Sequence, residues 1–420
     1  MPQSPRTAYI HIGAPKTGST AIQAAFSAAK DQLSESGYHY LDGDRNHSEM
    51  LAMSFWAEQD ALKLGQLRWI DDEDEFFRHR ASLREALSEQ ISRSVSRNLI
   101  ISAEELSDFR EPEVQSFITF LQQRFDRIRV IAYAREPQSW MTSAAQQGVK
   151  WSGDRLDERF QAPRLPEYQR RFEPFMTAVG QENFDLRPYF PGEKEFDVVA
   201  DFARAIGIGE KIGANSAESR VNSAVSHRTA IIFSAVNAAM PPFVENRHNP
   251  CRSFNVVRDG RLPGRKFALP SETVLNTADI LQDERGWLNE TMGRAVFTAP
   301  AVPEIPLDSW YGGEREELEA FAAVFSAHCR QAQNDEALKA YLKSKKHREA
   351  NPGLARALLS NAWMLATDQW TLHLIATEAV ETEHPDRHRF FAKQRIMRRI
   401  ENAQPGDPPL AVGNPFHREW

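Results

Sequence analysis

Residues 13–20, Gly-Ala-Pro-Lys-Thr-Gly-Ser-Thr, carry the chain's most concentrated chemistry. Gly13 permits a sharp exit from a preceding strand, and Gly18 lets backbone approach a ligand closely. Lys16 adds a full positive charge, and Thr17, Ser19 and Thr20 add hydroxyl donors. Between a strand and a helix N-terminus, such a loop gathers free N–H groups under the positive end of a helix dipole and forms an anion site. Two more sets stand where strands should end. Arg135 closes the apolar run 128–134, and Ser143 follows eight residues on. Pro137 suits the first position of a helix, so Ser143 stands about two turns in and can face the same anion as the Arg135 fork. Glu104 and Glu105 follow the short apolar run 99–101. A carboxylate there is placed to accept a proton.

The spacing within the loop separates two kinds of anion site. A loop for a nucleoside triphosphate with magnesium reads Gly, four residues, Gly-Lys-Ser/Thr. Gly13 and Gly18 keep that spacing, but Ser19 stands where the lysine belongs and Lys16 lies inside the loop. The pattern disfavours a triphosphate–magnesium site and favours a single terminal phosphate beside a reacting group.

The elements that must position these residues follow from periodicity. Strands are expected at 8–12, 99–101, 128–134 and 184–189, and helices at 21–33, 71–96, 114–124 and 196–206. Strands alternating with helices predict a parallel sheet covered on both faces. In such sheets ligands sit outside the carboxyl ends of the strands, where residues 13–20, 104–105 and 135 fall. Short helices and loops are expected over 151–191, an irregular segment over 241–270, and a helical pair over 271–292. Residues 299–313, rich in Pro and Gly, read as a linker, and 314–404 as all helix, with breaks near Asn334, Asn351-Pro352, Thr367-Asp368 and His384-Pro385. Pro352 and Pro385 stand 33 residues apart, close to the period of tetratricopeptide-like helix pairs. A plain bundle accounts for the same pattern. Residues 405–420 read as a tail.

Composition sets the outer bounds. The 420 residues suit two domains, and 41% hydrophobic with 26% charged residues is ordinary for a globular chain. Two cysteines, Cys251 and Cys329, exclude a disulfide scaffold and make structural zinc unexpected. A net charge of −7 argues against a nucleic-acid partner while leaving room for a local anion site. No apolar stretch reaches the ~18 residues of a membrane span, and no secretory signal opens the chain, so a cytoplasmic location is expected.

Lys16-Thr17-Gly18-Ser19-Thr20, after an apolar strand and Gly13, resembles the first loop of the sulfotransferases that use 3′-phosphoadenosine 5′-phosphosulfate, which reads Lys-Thr-Gly-Ser/Thr-Thr. Arg135 and Ser143 are similar to that family's strand-end Arg and the Ser eight residues on. Residues 284–288 look like the end of the catalytic domain in bacterial members. The resemblance spans residues 7–298 and leaves the C-terminal helices outside. It implies a P-loop-like three-layer α/β fold with a central parallel sheet, a catalytic domain over 1–298, and sulfuryl transfer to a hydroxyl or amine. It also implies 3′-phosphoadenosine 5′-phosphosulfate as co-substrate and no metal. By that resemblance Gly13, Lys16, Thr17, Gly18, Ser19 and Thr20 hold the 5′-phosphate, Lys16 stabilises charge on the leaving group, and Arg135 with Ser143 binds the 3′-phosphate.

The general base is left between two residues. Many family members that act on sugars use a Glu, and the strand end favours Glu104, with Glu105 as alternate. Ser102-x-x-Glu105 reads as a capping box, which makes Glu105 the more structural of the two. His11 and His47 come next. Trp140, Gln146, Gln147, Lys150 and Trp151 suit a saccharide acceptor at a cleft edge, and core packing equally. Residues 220–226 either close over the 3′-phosphate or cap a helix. A saccharide is the expected acceptor, with peptide Tyr, lipid-linked sugar and small alcohol open. Two other readings compete. A P-loop small-molecule kinase needs a magnesium-holding Asp and a Lys directly before Ser/Thr. A non-catalytic interaction protein would use the C-terminal helices to bind a protein partner.

Overall fold

The structure is a computed structural model that describes residues 5–403, apart from 192, 194, 210, 211 and 213–223, with the side chains of 258 and 259 left out. Five parallel strands form its centre: β1 (Thr7–Ile12), β2 (Tyr38–Tyr40), β3 (Asn98–Ala103), β4 (Arg127–Ala134) and β5 (Phe184–Pro188), in the order β2-β3-β1-β4-β5. β1 is central because both its faces are apolar or neutral and both are covered. Ala8, Ile10 and Ile12 join Leu99, Ile101, Val130 and Ala132 on one face. The helices Glu111–Gln122, Pro137–Gln147 and Tyr168–Val179 bury Phe117, Trp140 and Phe172 there. On the other face Ile100, Ile131 and Tyr133 pack under the helices Ser19–Ala28 and Val198–Ala205 through Ile22, Phe26 and Phe202. The result is three layers, helix–sheet–helix, as the alternating pattern predicts.

Two elements depart from expectation. β2, three residues long, is too short to declare itself by periodicity; it is held by pairing with β3. The expected break at Asn334 is absent, and one helix runs unbroken from Arg315 to His347. Asn334 is used across the helix rather than along it. Its amide donates to Thr371 Oγ1 at 2.8 Å and its carbonyl accepts from Thr367 N at 3.2 Å. The other breaks hold. Asn351 caps the helix Pro352–Leu365 by accepting from Leu354 N, and Asp368 caps Gln369–Glu381 by accepting from Thr371 N. A last helix, Arg387–Glu401, follows His384-Pro385. The tail 405–420 lies outside the described residues. Among the described residues no helix is long and apolar enough to cross a membrane.

Residues 299–313 do not form a free tether. Trp310 is 1% exposed and lies in the same apolar cluster as β1, β3 and β4, together with Ala322 and Cys329 of the long helix. Its indole donates to Ala268 O at 2.8 Å, and its ring meets Phe160 at 4.8 Å between centroids. Ion pairs cross the same seam: Arg228 with Glu314, and Arg315 with Asp157 at 2.8 Å. An independent domain ending near residue 298 would expose this cluster. Two outcomes are expected in denaturant unfolding. Trp310→Ala should destabilise the whole chain by about 3–5 kcal/mol in a single transition. A chain ended after Ala299 should be insoluble or unfolded, whereas a stable soluble fragment would restore the separate-domain boundary.

Candidate active site

Parallel register brings the strand ends together. Ile12 of β1 stands opposite Ala103 of β3 and Ala132 of β4, so Gly13, Glu104 and Arg135 leave the sheet at one edge. Gly13 is needed there: a Cβ would lie 2.9 Å from Ser19 Cβ and 3.1 Å from Glu104 Cγ. The loop then turns through Lys16 at φ +71° and Gly18 at φ +85°, both left-handed. At Gly18 a Cβ would meet Tyr189 Cε2 at 2.8 Å. Lys16 is a non-glycine residue in that region, a local cost that persists only where the surroundings fix it. They do so with two bonds: Thr17 Oγ1 donates to Ala14 O at 2.6 Å, and Trp140 Nε1 donates to Pro15 O at 2.6 Å.

The loop keeps its donors open. The backbone N–H groups of Thr17 to Thr20 have no acceptor among the described residues. The helix Ser19–Ala28 has no side-chain cap and no acidic residue in its first turn. Ser19 Oγ is buried without a partner, and Thr20 is exposed. A buried hydroxyl left unpaired beside free amides is unfavourable unless a ligand completes it. These residues suit an anionic group such as a phosphate.

Charge gathers around the loop. Burial brings the Lys16 ammonium down to about 8; nearby Glu104 opposes the shift, and Lys150 and Arg135 add to it. Burial also lowers Lys150, with Arg261 adding repulsion, and lowers Arg135. Among the described residues Lys16, Arg135 and Lys150 have no carboxylate within ion-pair distance. Arg135 is braced instead. Tyr168 OH accepts from its N–H and donates to its C=O, both at 2.9 Å, and Arg135 Nε donates to Ser139 Oγ at 2.8 Å. Ser143 lies one turn beyond Ser139 on the same helix, half-buried and without a side-chain hydrogen-bond partner among the described residues. Glu284 and Arg285 hold this corner: Glu284 accepts from Tyr168 N at 2.8 Å, and Arg285 pairs with Glu136 at 3.2 Å.

The carboxylates take unequal places. Burial pushes Glu104 up to about 7, opposed by Lys16 and helped by Asp108. Glu105 also reaches about 7, through burial and then repulsion from Glu104. The expected capping box is not formed. β3 continues through Ala103, Ser102 stays inside it, and its hydroxyl meets His11 Nδ1 at 2.7 Å. Ser48 Oγ does the capping, accepting from Glu104 N at 2.7 Å and Glu105 N at 3.2 Å.

Both histidines are structural. His11 is fully buried between Tyr133 and Phe202, and burial drives its pKa to about 3. His47 Nδ1 accepts from Ser102 N at 3.0 Å, so its Nε2–H donates to Leu41 O at 3.0 Å. Burial holds it near 4, and both ring nitrogens are spent.

Several contributors carry no motif. Ser139 and Tyr168 fix Arg135, and Tyr189 closes on Gly18; the Tyr189 position follows from the strand-end rule applied to β5. Trp140 is a loop brace rather than an acceptor wall, and Gln146 accepts from Val225 N at 3.1 Å. Of the segment 220–226, residues 220–223 lie outside the described residues; Ser226 caps the helix His227–Ala239 by accepting from Thr229 N at 3.1 Å. Among the described residues no group of three or more His, Cys, Asp or Glu is gathered for a metal.

Anion binding should restore the charge of Lys16. With lysine Cε-labelled protein, an NMR titration should place Lys16 at about 8 without ligand. Saturating inorganic pyrophosphate should move it towards the ordinary value of about 10.4. A midpoint unmoved by pyrophosphate would place the ammonium outside the anion site. No known protein family, curated protein or solved structure matches this chain.

Proposed function

We propose that the chain is a sulfotransferase on a P-loop-like α/β fold, using 3′-phosphoadenosine 5′-phosphosulfate and acting on a hydroxyl or amine acceptor, with a saccharide the expected class. One observation carries the reading. Among the described residues Lys16 and Arg135 stand without ion-pair partners around free loop amides, beside the buried carboxylate of Glu104. A nucleotide with a 3′-phosphate and a 5′-phosphosulfate would give both cations anionic partners and the free amides acceptors.

The roles follow from position. The amides of Thr17 to Thr20 and the Ser19 hydroxyl hold the 5′-phosphate. Arg135, oriented by Ser139 and Tyr168, receives the 3′-phosphate with Ser143. Glu104 takes the proton of the acceptor O–H or N–H as the acceptor atom attacks sulfur. The co-substrate supplies the sulfuryl group: the new bond to sulfur forms as the S–O bond to the 5′-phosphate breaks, leaving 3′-phosphoadenosine 5′-phosphate. Lys16 meets the negative charge that develops on the departing oxygen. In the free enzyme, with Glu104 near 7 and Lys16 near 8, both are ionised together only in the interval between.

Three measurements test this. 3′-Phosphoadenosine 5′-phosphate should raise the melting temperature, and Arg135→Ala should weaken its binding by about 2–3 kcal/mol while leaving adenosine 5′-phosphate unaffected. Equal losses for both nucleotides would remove Arg135 from the 3′-phosphate, and no binding to the unaltered protein would end the sulfotransferase reading. With an acceptor in hand, Glu104→Gln should lower turnover by ~10²–10⁴-fold at nearly constant nucleotide affinity, and Glu105→Gln should not. The kcat/KM for the nucleotide, which reports the free enzyme, should rise as pH passes about 7, where Glu104 ionises, and fall above about 8, where Lys16 discharges. A flat profile across that range would assign the proton transfer elsewhere.

A further inference from the structure

The donor as placed above accounts for Lys16 and Arg135 but not for Lys150. Lys150 sits in a five-residue π-helical turn, Gly148–Ser152, directly after the helix that carries Ser139 and Ser143. Such turns concentrate at functional positions because they cost backbone hydrogen bonding. This one is firmly built. Asn237 Nδ2 donates to Val149 O and Asp154 O, both at 2.8 Å, and Arg252 fixes Asn237 Oδ1 at 2.7 Å. Asp154 is pinned by Arg159 and Arg164, each at 2.7 Å. Gly148 has no room for a Cβ against that carboxylate.

The turn holds two side chains of opposite character. Lys150 is 8% exposed and has no carboxylate within ion-pair distance among the described residues, an unfavourable burial that nothing in the core requires. Trp151 beside it is 53% exposed, with the Lys150 ammonium 5.8 Å from its ring centroid. On the loop side the charge of Lys150 is felt at Lys16. On the outer side it is felt against Arg261. The exposed Arg261, Arg265 and Lys266 extend this basic edge, because Ser226 bridges Lys266 and the neighbouring Val225 rests on Gln146. A basic edge on a chain of net charge −7 is local and sided.

We propose that this turn is the acceptor subsite and that it takes an anionic saccharide, with a sugar ring on Trp151 and a carboxylate or sulfate substituent on Lys150. The inference rests on the sulfotransferase reading. An exposed indole face suits the C–H face of a pyranose, and a partly desolvated ammonium suits a fixed anion more than a hydroxyl. The saccharide then runs out along Arg261 and Lys266. The outgoing sulfuryl acceptor lies between Lys150 and Glu104, on the open side of Lys16.

The test separates donor from acceptor. Binding of 3′-phosphoadenosine 5′-phosphate is measured first, on the unaltered chain, Lys150→Met, Lys150→Arg and Trp151→Ala; all four should agree within about twofold. With that nucleotide present, three probes are compared: a hexasaccharide alternating uronic acid and N-acetylated amino sugar, its carboxyl-reduced neutral form, and its sulfated form. The acidic forms should bind the unaltered chain at least about tenfold more tightly than the neutral one. Lys150→Met should erase that preference and Lys150→Arg restore it, while Trp151→Ala should weaken all three alike. The order of the carboxylated and sulfated probes identifies which anion Lys150 takes. Loss of nucleotide affinity in Lys150→Met would give Lys150 to the donor and overturn the proposal. Equal binding of acidic and neutral forms, or an acidic peptide competing as well as the saccharide, would overturn it too. Failure of the unaltered chain to bind the nucleotide would instead bring down the sulfotransferase reading on which it rests.

Discussion

The site depends on one close approach, that of Gly13 to Ser19 and Glu104. β1 lies between β3 and β4 in parallel register; β1 and β3 end level, and β4 runs two residues further, to Ala134, before Arg135. With a side chain at position 13, the loop could not fold back over the end of β3, and the start of the helix Ser19–Ala28 would be pushed from Glu104. Backbone contact there sets the distance between the anion loop and the carboxylate, and Trp140 locks it from the opposite layer. The spacing between the loop and Glu104 is therefore a property of backbone packing, which is stiffer than side-chain contact.

The charges show the complementary feature. Elsewhere the fold pairs several of its buried ions: Arg187 with Asp201 at 2.6 Å, Arg159 and Arg164 with Asp154, and Arg171 with Asp108. The Arg171 pair bears directly on the site. Asp108 closes the 3₁₀ turn Glu105–Asp108 that follows Glu104, and it pairs with Arg171 while still helping to raise Glu104. Around the loop that compensation is missing, with cations lowered and carboxylates raised by burial. Such a cluster of uncompensated charge suits an anion.

Legibility in the sequence followed the range of each interaction. The loop at 13–20, the strand ends at Glu104 and Arg135, and the long helices are set by local pattern, and each stood within a few residues of its expected place. What depended on partners distant in sequence was not readable. Ser102 resembled a cap because Ser-x-x-Glu is a local signal, yet His11, 91 residues away, claims its hydroxyl. Asn334 resembled a helix stop because Asn is a poor helix former, yet bonds to Thr367 and Thr371 hold it within the helix. His11 and His47 stood next in line as the base, and the layers above and below them bury both and lower their pKa values. Lys150 and Trp151 stood out as groups for a cleft edge, but the turn that presents them did not, since a π-helical turn has no sequence period of its own.

The C-terminal helices belong to the same account. The long helix Arg315–His347 packs along His227–Ala239, and its Gln333 accepts from Ser253 Oγ at 2.9 Å and Phe254 N at 2.7 Å. Residue 252, next in line, supplies the guanidinium that fixes Asn237, and Asn237 holds the turn that carries Lys150 and Trp151. An unbroken series of buried polar contacts thus runs from the long helix to the outer wall of the site. A helix interrupted at Asn334 would end where Gln333 must reach Ser253, and the series would lose its anchor. The continuity of that helix, which local propensity argues against, is what lets a region outside the α/β layers fix the geometry of a turn at the edge of the sheet.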